Sequence, residues 1–150
     1  MNILAVDPGK HANAYARFNK GVLTRVEKTL HDDAIYFMQH GEDFFWNTTV
    51  VIEGQQVYKT TPNPASIIDV AHGAGRAMLI AEFFVSPHEL VLPRIWKGQV
   101  PKKIHQERIL SKLTNTELAL LKPFNKGQLK DIIDAIGIGL WWLKKEGIRV

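Results

Sequence analysis

The stretch KDIIDAIGIGLWWL, residues 130–143, constrains the fold of this 150-residue chain more than any other. Its pattern predicts a helix from about Lys126 to Lys145, opened by a capping box between Asn125 and Gln128. Apolar residues occupy nearly every face of it, with Leu129, Ile133, Ile136 and Leu140 on one side and Ile138, Trp141 and Trp142 on the other. A helix of this kind is expected to be enclosed by protein. Asp131 and Asp134 break the pattern. Their spacing puts them on one face, about 60° apart. They lie beyond the first turn, where the helix dipole has faded, so capping does not account for them. Two acids at the mouth of a buried helix need compensation, which a divalent cation could supply.

A buried helix needs a sheet or other helices to cover it. NILAV ends at Asp7 and stops at Pro8-Gly9, which predicts a short buried strand closed by a turn. ANAYARF and VLTRVEKTL, separated by Asn19-Lys20-Gly21, alternate as two further strands of a meander. A helix is expected from Asp32 or Asp33 to about His40, and TTVVIE is a second buried strand ending at Glu53. After the polar loop GQQVYKTTPNP, residues 65–84 form a helix rich in small residues, with Ala71, Gly73, Ala74, Gly75 and Ala77 either on the sheet or at a dimer seam. LVL before Pro93 is a third buried strand. A basic helix from about Lys102 to Leu113 precedes the last one. Strands followed by alternating strands and helices predict an α/β architecture with a mixed sheet, its later strands parallel to the first.

With 45% hydrophobic residues, the chain can bury one core, and residues 1–150 are expected to form a single domain. No apolar run is long enough to span a membrane, and the first residues are expected to form a strand and not a signal peptide. The absence of cysteine excludes disulfides and thiolate metal sites, as suits the cytoplasm. Charge is uneven. Residues 94–150 carry 12 Lys and Arg against 5 Asp and Glu, while residues 1–93 carry 7 against 10. The excess predicts an anionic partner, nucleic acid first, although a solvated helix face has the same composition.

Asp7 and Glu53 each end a buried strand. If those strands are parallel neighbours, both acids emerge at the carboxyl edge of the sheet, where open α/β sheets bind ligands. Asp-Pro-Gly is also ordinary turn chemistry; Glu53 is harder to explain that way. Together with Asp131 and Asp134 they make a hard-oxygen set suited to Mg²⁺ or Mn²⁺. Two such ions about 4 Å apart can drive phosphodiester cleavage.

In order along the chain, LAVDPGKHANAYA, VVIEGQQVY and KDIIDAIGIGLWW resemble the first-strand, fourth-strand and terminal D-x-x-D-A helix motifs of the RuvC-type Holliday-junction resolvases, in the RNase H-like superfamily. The resemblance spans nearly the whole chain. It implies an RNase H-like fold with a mixed five-stranded sheet flanked by helices. It also implies a homodimer that cuts opposed strands of four-way DNA junctions with about two divalent cations per site. Carried over by motif, Asp7, Glu53, Asp131 and Asp134 are the catalytic metal ligands. Ala14 and Ala16 stand where the family commonly has glycine. Tyr58 is displaced by a residue or two from the family's junction-facing aromatic, and is that residue or a half-exposed loop aromatic. Gly137 and Gly139 are expected to let the last helix approach the sheet.

Lys102, Lys103 and Lys130 are the expected phosphate contacts. His72 and His105 read as structural or surface residues, and Trp141 and Trp142 as core or interface. Another RNase H-like nuclease, acting on branched DNA or RNA–DNA hybrids, and a non-catalytic junction-binding protein are the alternatives. A nucleotide-cofactor module of the actin-like kind is disfavoured, because it leaves Glu53 and the Asp131/Asp134 pair unexplained.

Overall fold

The meander and the two later apolar runs join edge to edge. In the computed structural model, which describes residues 1–30, 47–55, 63–83 and 86–149, five strands form one sheet in the order β3-β2-β1-β4-β5. They are β1 (Asn2–Asp7), β2 (Ala12–Asn19), β3 (Val22–Leu30), β4 (Thr48–Glu53) and β5 (His88–Val91). The pairs β1–β2 and β2–β3 are antiparallel, while β1–β4 and β4–β5 are parallel, so the sheet is mixed as expected. The third apolar strand lies slightly earlier than LVL suggested. The helix expected between Asp32 and His40 lies outside the described residues.

Alternation along the two central strands creates two cores. Leu4 and Val6 of β1, with Val50 and Ile52 of β4, face the small-residue helix α1 (Pro64–Phe83). Gly73, Ala74, Ala77 and Ala81 of α1 are buried there, whereas Ala71 and Gly75 turn outward, so the small residues divide between two faces. Ile3 and Ala5 of β1 and Val51 of β4 face the opposite layer. That layer holds α2 (Pro93–Trp96), α3 (Lys102–Leu110), α4 (Asn115–Ala119) and α5 (Lys126–Lys145).

Helix α5 is the buried helix that its composition required. Asn125 and Gln128 form the expected capping box, and Ile132 through Leu140 are buried without a break. Gly139 meets the sheet: a Cβ there would lie 2.2 Å from the Phe18 ring. Gly137 has a different role from the one expected. A Cβ on it would lie 2.5 Å from Ile109 and 2.7 Å from Trp96, so it admits α3 and α2 and not the sheet. Among the described residues no helix is long and apolar enough to cross a membrane.

Candidate active site

The parity that builds the two cores also aims the acids. Parallel pairing of β1 with β4 runs to Val6 opposite Ile52, and Asp7 and Glu53 are the next residue on each strand. Asp7 shares its face with Ile3 and Ala5, and Glu53 shares its face with Val51. Both therefore point to the layer of α5, which brings Asp131 and Asp134 from the other side. The Asp7 carboxyl is pushed well above its usual range, first by burial and then by the charges of Glu53, Asp134 and Asp131. Four acids far apart in sequence thus share one electrostatic environment.

The loop after β1 is fixed by a buried amide. Asn13 accepts a hydrogen bond from the Gly9 N–H at 3.3 Å and donates to Gly73 O at 3.1 Å and to the Tyr15 hydroxyl at 3.2 Å. Gly9 is needed because a Cβ there would lie 2.3 Å from Ala12 O. The Asp-Pro-Gly turn is thereby tied to α1, and Asp7 is held at its edge. Burial carries the Tyr15 hydroxyl up to about 12, against the Asn13 hydrogen bond, so it stays neutral.

Glu53 is buried and accepts a hydrogen bond from Trp96 Nε1 at 2.8 Å, with Lys97 Nζ at 3.6 Å. Burial raises its carboxyl more than Lys97 and Trp96 lower it. Asp134 is likewise buried. Its Oδ1 accepts from Gln106 Nε2 at 2.9 Å and its Oδ2 from Lys102 Nζ at 2.8 Å. Burial lowers the Lys102 ammonium, but the hydrogen bond and charge of Asp134, with Asp7 and Asp131, raise it overall. Asp131 is half-buried and accepts a short hydrogen bond from Lys28. Lys28 lies opposite Ala14, and Ala14 opposite Asp7, so a small residue in the middle of this cross-strand row lets the lysine reach α5.

The donor set is four carboxylates of the kind hard divalent cations take. Among the described residues, no three acidic or imidazole side chains are drawn together closely enough, as they stand, to grip one ion. The oxygens of Glu53, Asp131 and Asp134 are held by Lys28, Lys97, Lys102, Trp96 and Gln106 instead. Of the other expected site residues, Lys103 and Lys130 are exposed, and Tyr58 lies outside the described residues. Lys130 offers its carbonyl to Gln106 at 2.9 Å. His72 is on the surface, Trp142 is in the core, and His105 and Trp141 are half-buried. Trp96, Gln106, Lys28 and Lys97 were missed from sequence. Only Lys97 had a signal, the basic run that contains it.

No family model matches the chain, and no curated protein matches it in sequence. Solved structures share its fold, two of RuvC among them. Thermus thermophilus RuvC in complex with a Holliday junction substrate aligns with a TM-score of 0.64 and 15% identity, over 99% of this chain and 98% of that one. Another Thermus thermophilus RuvC structure aligns with a TM-score of 0.61 and 16% identity, over the same 99% and 98%. The resemblance read from three motifs therefore holds at the level of the whole fold: the chain has the RNase H-like fold of the RuvC structures.

Proposed function

We propose that this protein is a metal-dependent endonuclease that resolves four-way DNA junctions by hydrolysing phosphodiester bonds in opposed strands. One observation carries the reading: Asp7, Glu53, Asp131 and Asp134 converge between the sheet edge and α5 on a fold shared with a RuvC solved on a Holliday junction substrate. These four acids would hold Mg²⁺ or Mn²⁺, and the ions would supply an activated water and charge stabilisation on the leaving oxygen. Trp96 and Gln106 fix Glu53 and Asp134 through hydrogen bonds, which keeps two of the ligands from rotating away. Lys97 and Lys102 stand at the acid oxygens, where the negative charge of a phosphate would arrive. Lys103 and Lys130 extend the basic surface outward, and by motif Tyr58 is the nearest candidate, a residue or two displaced, for the junction-facing aromatic.

A two-fold dimer belongs to the same proposal, because the two scissile sites of a junction are equivalent. Its support is the outer face of α1, where Ile68, Leu79 and Phe83 are 59%, 65% and 80% exposed. Ala71 and Gly75 lie between them on that face, and a Cβ on Gly75 would meet nothing, so a second helix could approach closely. Light scattering should give a dimer, and Leu79→Asp should shift it to monomer. A monomer both free and on DNA refutes the assembly.

The deciding experiment is cleavage of four-way junctions, forks and RNA–DNA hybrids by the purified protein, with and without Mg²⁺. Paired nicks in opposed junction strands that require the metal are expected. Preferred cleavage of hybrids would move the assignment to a ribonuclease H-type enzyme. Junction binding without cleavage in Mg²⁺ or Mn²⁺ would leave a binding protein.

A further inference from the structure

Beside the acid cluster, between α2, α3 and α5, lies a cavity of about 290 Å³. Its apolar lining comes from Trp96, Val100, Ile109, Leu140 and Trp141, and its basic lining from Lys97, Arg108, Lys112 and Lys144. Among the described residues that line it, none is acidic. The volume is near the lower end of the roughly 300–1,000 Å³ typical of small-ligand sites, which suits one ring system and not a duplex.

Two features mark it as more than a packing gap. His105 also lines the cavity, and its Nε2 is buried with no hydrogen-bond partner among the described residues. An orphaned buried ring nitrogen is costly, and a turn of the ring toward the cavity would let a neutral imidazole nitrogen pair with the edge of a base. Trp96 joins the cavity to the acids: its ring lines the one while its N–H is bonded to Glu53 of the other. Lys97 spans the same boundary, 3.6 Å from Glu53 and 5.0 Å from the Trp96 ring centre.

We infer that this cavity receives an unpaired nucleotide of the bound DNA strand, its base against the tryptophans and His105 and its phosphate on the basic rim. Charge decides the class of occupant, since a wholly basic rim over an aromatic floor fits a ring that carries an anion. Such a base must leave the stack to enter, and branch points supply bases that have already lost a neighbour. The inference rests on the proposed action on branched DNA and adds to it a site that the cleavage chemistry does not require.

The test places 2-aminopurine singly at positions around the branch of a four-way junction and reads its fluorescence on binding to the full chain, with total affinity followed by anisotropy. One position, or two adjacent ones, should respond. Trp141→Leu should abolish that response and weaken binding about tenfold, while Trp141→Phe should retain both, because stacking needs an aromatic face. DNA binding with no responding position, or a response undiminished by Trp141→Leu, overturns the inference and leaves the proposed function standing. Failure to bind any DNA overturns both. Saturable binding of free dAMP in that case would make the cavity a mononucleotide site, contrary to the inference.

Discussion

Glu117 offers a sharp test of the fold's energetics. It is 1% exposed, yet both carboxylate oxygens are satisfied. Oε1 accepts from the Leu23 N–H at 2.8 Å and Arg149 Nη1 at 2.7 Å; Oε2 accepts from the Thr114 N–H at 2.8 Å and Arg149 Nη2 at 2.9 Å. Burial pushes this carboxyl up, but the Arg149, Thr114 and Leu23 hydrogen bonds and the guanidinium charge outweigh it and hold it at about 2, against an ordinary 4.5. That difference corresponds to about 3 kcal/mol of stability at neutral pH. Because the folded value is depressed, the contribution is complete above 4.5 and is lost as pH falls toward 2. Roughly 1 kcal/mol of it should remain at pH 3. Glu117→Gln keeps the shape and removes the charge, so it should cost about 3 kcal/mol at pH 7, or about 6–12 °C in Tm. Urea melts of both proteins at pH 7 and pH 3 measure the difference directly, since the other acids titrate alike in each. The gap should narrow by about 2 kcal/mol at the lower pH. A gap that stays constant would mean that Glu117 acts through packing and hydrogen-bond shape, and that its charge contributes nothing.

Asp7→Asn and Asp134→Asn should each abolish junction cleavage in Mg²⁺ while binding persists, because affinity for DNA comes mainly from phosphate contacts; gel-shift and cleavage assays on the same samples separate the two. Asp7→Asn should also melt at or above wild type in EDTA near pH 7. The raised Asp7 carboxyl means that the folded state loses stability as pH climbs from 3.8 through its folded value, a loss the amide escapes. A clearly lower melting temperature for this variant would make Asp7 a structural hydrogen-bonding residue.

Much of this arrangement was legible because period and position carry it. Two apolar runs ending in acids, and a helix apolar nearly all round, leave few ways to assemble other than a covered parallel pair of strands. The partners of the acids had no such signature. Lys28 belongs to an alternating strand and pairs with Asp131, 103 residues away, through a row set by the register of three strands. Trp96 reads as a core tryptophan until the turn after β5 places its N–H on Glu53. Helix α4 has a legible signal that the sequence reading leaves out: Thr114 and Glu117 form a capping box ahead of Leu118, but the stretch is short. The end of α3 at Leu110, short of Leu113, follows from the turn in which Ser111 Oγ donates to Arg108 O.

The basic segment itself divides by direction, which net charge cannot reveal. Lys97 and Lys102 are ion-paired with Glu53 and Asp134, Lys97 from the edge of the cavity and Lys102 from an exposed position, whereas Lys103, Arg108, Lys112, Lys122, Lys126 and Lys130 are exposed. A lysine already paired with one of the acids offsets the repulsion among them and releases few counterions when DNA arrives. An outward one neutralises a phosphate and contributes close to one unit of salt slope. Neighbours in sequence should therefore behave differently. Lys103→Ala should reduce the slope of log K against log salt by about one and weaken all sequences alike. Lys102→Ala should leave the slope nearly unchanged, and should instead lower the melting temperature in EDTA, because Asp134 then stays buried without its ammonium. Anisotropy titrations on one junction across a range of KCl concentrations, with thermal melts of the same two variants, compare them. Should Lys102→Ala flatten the slope as much as Lys103→Ala, the Lys102–Asp134 pair does not persist on DNA, and Lys102 leaves the acid cluster for a phosphate when substrate binds.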